Sequence, residues 1–192
     1  MVEVERKYRI TNAAAFRRRV RALGARTGKA KLQVDTYYVP LRSAASLRSW
    51  FGKQYLRIRE HRAGRRVYAR LEYHVVKTRY LAREYEVEVG DARTVHQVLL
   101  SLGYVPFARV RKVREEWRYG GVEVELDQVR GLGSFVELEV LGTGERTALK
   151  KIDALAVKLG LAPEHRSEGM SYFKMIVQRE QPAVFRKYYG KS

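Results

Sequence analysis

Apolar and polar residues alternate with period two along most of this chain. Val2, Val4 and Tyr8 interleave with Glu3, Glu5 and Lys7, and the same rhythm returns over residues 32–39, 55–61, 66–76, 80–89, 109–119, 121–129 and 134–141. Side chains two apart share one face of a strand, so the pattern predicts about eight half-buried strands. Gly120-Gly121, set between two alternating runs, predicts a tight hairpin. In three places the period lengthens to that of a helix. Residues 12–23 place Phe16, Val20 and Leu23 on one face, with Asn12 as cap and Gly24 as stop. Residues 92–102 do the same with Val95, Val98, Leu99 and Leu102, capped by Asp91 and stopped by Gly103. Residues 147–159 follow with Leu149, Ile152, Leu155 and Leu159, between Thr147 and Gly160. Residues 40–54 read as a long connection, 170–178 as a short closing helix and 179–192 as a flexible basic tail, leaving a single domain over 1–178.

The polar members of the strands are sorted by sign. Glu3 and Glu5, then Glu84, Glu86 and Glu88, then Glu123, Glu125 and Asp127, then Glu137 and Glu139 each line one face of a strand. Arg57 with Arg59, and Lys112 with Arg114, form basic faces; Arg70 stands beside Glu72. The apolar residues opposite the acids (Val2, Val4, Val87, Val89, Val122, Val124, Leu126, Val136, Leu138 and Val140) need covering, and three amphipathic helices are at hand. Two arrangements compete: an open sheet with its acids in solvent, or a sheet curled shut with acids and bases facing a wet lumen. The second is preferred, because acids repeated at this spacing repel one another unless cations intervene.

Composition narrows the class. With 192 residues and a net charge of +18 the chain is long enough for a real core, and it attracts anions. There is no cysteine, which excludes disulfides and thiolate metal sites. No apolar run reaches the length of a membrane span and no secretory signal opens the chain, so no membrane partner and a cytoplasmic location are expected.

Taken together, the motifs resemble a known family. Glu3-Val-Glu5-Arg-Lys7 resembles the Glu-x-Glu-x-Lys signature of the CYTH superfamily, the triphosphate tunnel metalloenzymes. The rest follows in the family's order: Gln33-x-Asp35-x-Tyr37-Tyr38, Leu56-Arg57-Ile58-Arg59, Arg83-Glu84-x-Glu86-x-Glu88, Val110-x-Lys112-x-Arg114, Glu123-x-Glu125-x-Asp127, Gly131-Leu-Gly-x-Phe135-Val-Glu137-x-Glu139 and Ser171-Tyr172. The likeness covers roughly residues 1–175. It implies an α+β fold: a closed eight-stranded antiparallel β-barrel, or tunnel, with amphipathic helices packed outside. It further implies Mg2+ or Mn2+ and a small-molecule triphosphate substrate. Glu3, Glu5, Glu137 and Glu139 look like the metal carboxylates, with Glu86 and Glu125 as further candidates. Lys7, Arg57, Arg59, Lys112 and Arg114 look like the phosphate clamp, and Lys7, Arg59, Lys112 and Arg114 look catalytic. Hard cations take carboxylate oxygens, and guanidinium forks suit phosphate.

Two departures matter. Arg70 stands where family members usually have a lysine; it is expected to bind phosphate but not to accept a proton. Glu3 is the third residue, without the His-Phe element that precedes the signature in bacterial class IV cyclases. The expected activity is therefore hydrolysis of a terminal phosphate from a nucleoside, thiamine or inorganic triphosphate. The alternative is a class IV adenylyl cyclase making cyclic AMP and pyrophosphate. A non-catalytic module binding RNA or polyphosphate comes third, since it leaves the acidic strands unexplained. Other residues have plainer readings. Gln33 and Asp35 stand evenly between tunnel residues and turn-proximal polar groups. Tyr37, Tyr38, Tyr172, Trp50 and Phe51 read as packing, Arg17, Arg18, Arg19 and Arg21 as a solvated face, His96 as structural or surface, and no histidine shows ligand spacing.

Overall fold

The computed structural model describes residues 2–28, 30–41, 47, 50–64, 66–167 and 169–190. Its strands are β1 (Val2–Ile10), β2 (Arg26–Thr27), β3 (Lys31–Pro40), β4 (Gln54–Ala63), β5 (Arg66–Val76), β6 (Leu81–Val89), β7 (Tyr104–Tyr119), β8 (Val122–Val129) and β9 (Gly133–Leu141). The helices among the described residues are α1 (Ala13–Ala22), α2 (Ala92–Ser101), α3 (Glu145–Lys158), α4 (Tyr172–Glu180) and α5 (Pro182–Tyr189), with a 3-10 turn at Pro163–His165. Hydrogen bonding runs in the order β7-β3-β4-β5-β6-β1-β9-β8, and β8 returns to β7. The fold is thus a closed eight-stranded antiparallel barrel, with β2 as an extra strand beside β7. No helix among the described residues is long and apolar enough to cross a membrane.

Contacts divide the chain into two compact units. The first comprises Met1–Leu32, Thr78–Ala82 and Lys112–Gly169; the second comprises Gln33–Lys77, Arg83–Arg111 and Met170–Ser192. In the first unit the even residues of β1, β8 and β9 form the core. Val4, Tyr8, Val122, Val124, Leu126, Val136, Leu138 and Val140 lie under Phe16 and Val20 of α1 and Ala148, Ile152 and Leu155 of α3. Phe16 meets Trp117 of β7 edge-on, with ring centroids 6.3 Å apart. In the second unit Leu56 and Ile58 of β4 and Tyr38 of β3 pack with Leu99 and Val95 of α2. Covering the apolar face with helices leaves the opposite face of each strand to the charged residues.

The stop signals act as read. Gly24, Gly103 and Gly160 take φ of 72°, 80° and 64°, the left-handed conformation in which helices commonly end. Asn12 caps α1 by accepting from the Ala15 amide at 2.8 Å, and Asp91 caps α2 by accepting from Arg93 at 2.9 Å. Helix α3 begins earlier than expected. Gly144, not Thr147, is its N-cap, and Glu145 occupies the first turn, where a carboxylate favours the helix dipole. Val87, expected in the core, is 56% exposed on β6. Arg17, expected in solvent, forks onto Glu115 through Nε at 2.9 Å to both carboxylate oxygens. The expected basic tail contains α5. Proline at its N-terminus suits a helix start, and Tyr188 stacks on Phe51 at 4.7 Å between centroids. Phe51 also meets Phe107, and Trp50 meets Tyr104, as expected of packing residues. Of the 40–54 connection, residues 42–46, 48 and 49 lie outside the described residues.

Gly120 and Gly121 connect β7 to β8, with Tyr119 paired to Val122 and φ of 57° and 77°. Both φ values positive is the signature of the two-residue hairpin turn that matches strand twist. A Cβ would meet nothing within 4 Å at Gly121 or at Gly90, but only Gly121 has positive φ. Gly121→Val is therefore expected to cost about 1–2 kcal/mol in thermal unfolding and Gly90→Ala almost nothing. Equal effects would mean that the turn conformation is not what Gly121 supplies.

Candidate active site

In the first unit the alternation puts β1, β9, β8 and β7 into register so that charged residues meet across strands. Lys7 pairs with Glu137, Glu137 with Glu125, and Asp127 with Arg114. Glu125, Asp127 and Glu137 are 6%, 0% and 5% exposed, which rules out the arrangement with these acids in solvent. Lys7, Lys112 and Arg114 are buried among them. Arg114 binds all three carboxylates: Nε donates to Asp127 at 2.7 Å, Nη2 donates to Asp127 and Glu137, and Nη1 reaches Glu125. Lys112 donates to Asp127 at 2.9 Å. Lys7 reaches Glu137 at 2.8 Å and Glu5 at 3.2 Å. Glu139 lies half-buried between Glu5 and Glu123 on the neighbouring strands, and Glu3 is half-buried at the start of β1.

The electrostatics of this face are uneven. Burial lowers Lys7, but Glu137 and Glu5 outweigh it and hold the ammonium above its ordinary range. Burial raises Glu137, yet Lys7, Arg114 and Lys112 together hold it well below the usual carboxylate range. Glu125 goes the other way. Burial pushes it up to about 8, with Glu137 and Asp127 adding to the rise against the pull of Arg114. The cluster's own cations therefore leave Glu125 short of positive charge. One oxygen from each of Glu125, Asp127 and Glu137 lies within 4.8 Å of the other two. Carboxylate oxygens so grouped are the donor chemistry that Mg2+ and Mn2+ take.

In the second unit, β3, β4 and β5 build a different cluster. Arg59 forks onto Asp35 at 2.7 and 2.8 Å. Arg57 donates to Glu72 at 2.6 Å and to the Tyr37 hydroxyl at 2.9 Å, and its Nη2 lies 3.1 Å from His74 Nε2. Asp35 and Glu72 are buried, and Glu84 pairs with His74. Burial raises Glu72, but Arg57 and Arg59 reverse this and hold it far below the usual range. Arg70 is partly exposed and contacts Glu86 at 3.2 Å and Glu88 at 3.5 Å. Glu86 is itself exposed and hydrogen-bonded to Arg70.

The structure thus gathers Lys7, Lys112, Arg114, Glu125 and Glu137 in one unit, with Glu5 beside them, and Arg57 with Arg59 in the other. Several partners were not singled out from sequence: Asp127, Glu72 and His74. Each lies two residues from a charged residue on the same strand face (Glu125, Arg70 and Glu72), and that spacing was the available signal. Gln33 and Asp35 resolve as buried members of the second cluster. His61 also belongs there, accepting at Nδ1 from the Gln33 amide at 3.2 Å.

Known proteins share this sequence and fold. The family model of the CYTH domain matches residues 1–167. A Methanocaldococcus jannaschii protein provisionally named an adenylate cyclase, MJ0240, is 27% identical over 146 residues, 72% of this chain and 77% of that protein. A conserved hypothetical protein of Pyrococcus furiosus superposes with a TM-score of 0.78 at 27% identity, covering 91% of this chain and 99% of that one. Hippeastrum HpAC1, provisionally named an adenylyl cyclase and described as having a dominant triphosphatase activity, shares the fold at a TM-score of 0.61 and 18% identity, covering 93% and 95% of the two chains.

Arg114→Met takes one cation from three buried carboxylates, leaving Asp127 to Lys112 and Glu137 to Lys7 and removing the ion pair of Glu125, so a loss of about 3–5 kcal/mol is expected in urea unfolding at pH 7, and adding Asp127→Leu should return part of it. A loss under about 1 kcal/mol would mean that the guanidinium does not hold these charges. His61 gives a pH signature. Burial, followed by Arg59, lowers it from 6.5 to about 4. The unfolded chain then takes up the proton first, so stability is full above pH 6.5 and falls as pH drops toward 4. The wild-type protein should lose on the order of 2–3 kcal/mol more than His61→Gln across that window. Parallel pH profiles would contradict the assignment.

Proposed function

The chain belongs to the CYTH family, and we propose that it is a divalent-metal-dependent enzyme that hydrolyses the terminal phosphate of a triphosphate. The observation that carries this reading is the buried face shared by Glu125, Asp127, Glu137, Lys7, Lys112 and Arg114. Acids alone would repel a phosphate chain and bases alone would not need it; the two together suit a phosphate that arrives with its cation.

In this reading Glu3, Glu5, Glu137 and Glu139 hold Mg2+ or Mn2+, joined by Glu125, whose raised affinity for protons supports a role in taking a second positive charge. Exposed Glu86, tied to Arg70, is the weakest of the candidates. The ion, when bound, supplies charge neutralisation at the phosphate oxygens. Lys7, Lys112 and Arg114 bind and orient the phosphates, and their positive charge offsets the charge that develops in the transition state. Arg57 and Arg59 are proposed as further phosphate ligands, with Asp35 and Glu72 fixing their planes beforehand. Arg70 binds phosphate but does not accept a proton, which leaves activation of water to another group.

A second reading, cyclisation of ATP, draws on the name of the Methanocaldococcus relative. The same clamp serves it, with a ribose hydroxyl rather than water as the attacking group. Polyanion binding without catalysis draws only on the net charge of +18.

Incubating the protein with Mn2+ or Mg2+ and ATP, thiamine triphosphate or tripolyphosphate distinguishes these readings. Orthophosphate release is expected. Cyclic AMP with pyrophosphate would establish the cyclase instead, and RNA binding that survives chelation without any turnover would overturn both. Glu5→Gln and Arg59→Lys are each expected to lower kcat/KM by about 100-fold or more while leaving the fold intact. Lysine is chosen because Arg59→Ala would strand Asp35, which is 1% exposed. Wild-type rates in both variants would remove these residues from the site.

A further inference from the structure

The arginine run of α1 divides by task. Arg17 is taken up by Glu115, and Arg19 binds α3. Arg18 and Arg21 are exposed and meet no acid among the described residues. Arg19 fastens the two helices of the first unit together. Its Nη1 donates to the Leu159 carbonyl at 3.2 Å, at the end of α3, where the last carbonyls of a helix lack partners. A Cβ on Gly160 would stand 2.7 Å from that nitrogen, so the glycine lets the guanidinium close on the helix end. Phe16, Val20, Ala148, Ile152 and Leu155 turn to the core. The outward side of the two helices then holds Arg18, Arg21, Lys150, Lys151 and Lys158, all of them exposed.

Neither helix supplies an acid to offset them. Helix α1 contains none. In α3, Glu145 accepts from the Thr78 hydroxyl at 2.8 Å, and Asp153 is held by Arg6 at 3.0 Å and Arg166 at 3.1 Å. Glu164, in the turn beyond α3, is the exposed exception. The helix dipole accounts for Arg21 and Lys158, which stand in last turns. It does not account for Arg18, Lys150 and Lys151, which stand farther in, so the face has a surplus of positive charge that calls for an anion. The kind of anion follows from what the face lacks. Val157 is the exposed large apolar residue of the two helices, whereas a helix seated on a bilayer inserts Trp, Phe or Leu. Single strands are held by stacking on exposed rings; here Phe16 is buried and Lys158 covers the Tyr119 ring. A duplex needs neither, since its phosphates alone can be gripped. The two turns from Lys151 to Lys158 span about 10 Å, and a duplex carries about six negative charges over that length.

We propose that the outward face of α1 and α3 docks duplex nucleic acid through its phosphates. Arg18, Arg21, Lys150, Lys151 and Lys158 replace the duplex's counterions, and no base is read. These helices cover the apolar side of β1, β8 and β9, opposite the buried charged face. The docking surface is therefore separate from the triphosphate chemistry and stands whether or not that reading does.

The test is fluorescence anisotropy of the full chain with labelled DNA duplexes of about 20 base pairs and two unrelated sequences, across about 50–300 mM KCl. Wild type should bind both sequences alike. Arg18→Gln, Arg21→Gln, Lys151→Gln and Lys158→Gln together should reduce the slope of log affinity against log salt by about 3–4 and weaken binding about tenfold or more near 100 mM. Each change alone should reduce the slope by about 1, and the single variants carry the test if the combined one melts early. A control removes equal charge from exposed positions elsewhere: Arg93→Gln, Arg111→Gln, Arg186→Gln and Lys187→Gln. It should change affinity by less than about twofold, because distant charges are screened. Equal losses in the two combined variants would mean that binding follows net charge, and would overturn the proposal. A wild type that binds neither duplex would overturn it, as would single variants with unchanged slopes. Co-sedimentation with phosphatidylglycerol vesicles is the lipid arm: vesicles bound and duplexes unbound would give the face to a membrane instead.

Discussion

A buried carboxylate needs a partner, and in this protein that requirement fixes the arrangement of the strands. Arg114 reaches Asp127, Glu125 and Glu137 at once, and Lys7 and Lys112 complete the set. Lys7 faces Glu137 and Arg114 faces Asp127 directly across their ladders. Slipping any of these strands by one residue would turn its charges into the core under α1 and α3 and its valines onto the polar face. The register that buries Val124, Leu126, Val136 and Leu138 is thus the same register that assembles the charged face. Apolar burial supplies most of the driving force, and the ion pairs penalise the alternatives.

The two clusters solve the same problem in different ways. In the first unit burial pushes Glu125 up to about 8, with the neighbouring Glu137 and Asp127 adding to the rise. In the second, Arg57 and Arg59 share Asp35 and Glu72: Arg59 forks onto Asp35, and Glu72 accepts from Arg57 through one oxygen. A site that lacks positive charge invites a metal ion. Arginines held flat by buried carboxylates are set to exchange part of that pairing for phosphate oxygens without first being ordered. Neither feature alone makes an enzyme; the family membership and the two chemistries together support one.

Much of the fold was legible because period-two alternation and the Leu-Gly helix ends are local signals. Val4 and Tyr8 against Glu3, Glu5 and Lys7 gave a strand and its faces, and Gly120-Gly121 gave its turn without reference to any other residue. What the alternation cannot carry is which strand lies next door. Asp127 was read as one acid among several; that Arg114 and Lys112 close on it depends on the β7–β8 register. His74 and Glu72 matter through Arg57, fifteen or more residues away. Strand β2, at two residues, is too short to show a period. Helix α5 is held by aromatic contacts such as Tyr188 on Phe51, which tail-like composition hid.

The central claim is that the buried carboxylates around Arg114 take a divalent cation. Anomalous diffraction from crystals soaked in Mn2+ with a non-hydrolysable triphosphate tests it most directly. The account predicts a manganese peak about 2.0–2.3 Å from carboxylate oxygens of Glu137 and at least one of Glu5, Glu125 and Glu139, with phosphate oxygens completing the shell. A triphosphate bound with no manganese at these residues, or manganese confined to exposed acids such as Glu86 and Glu88, would contradict it.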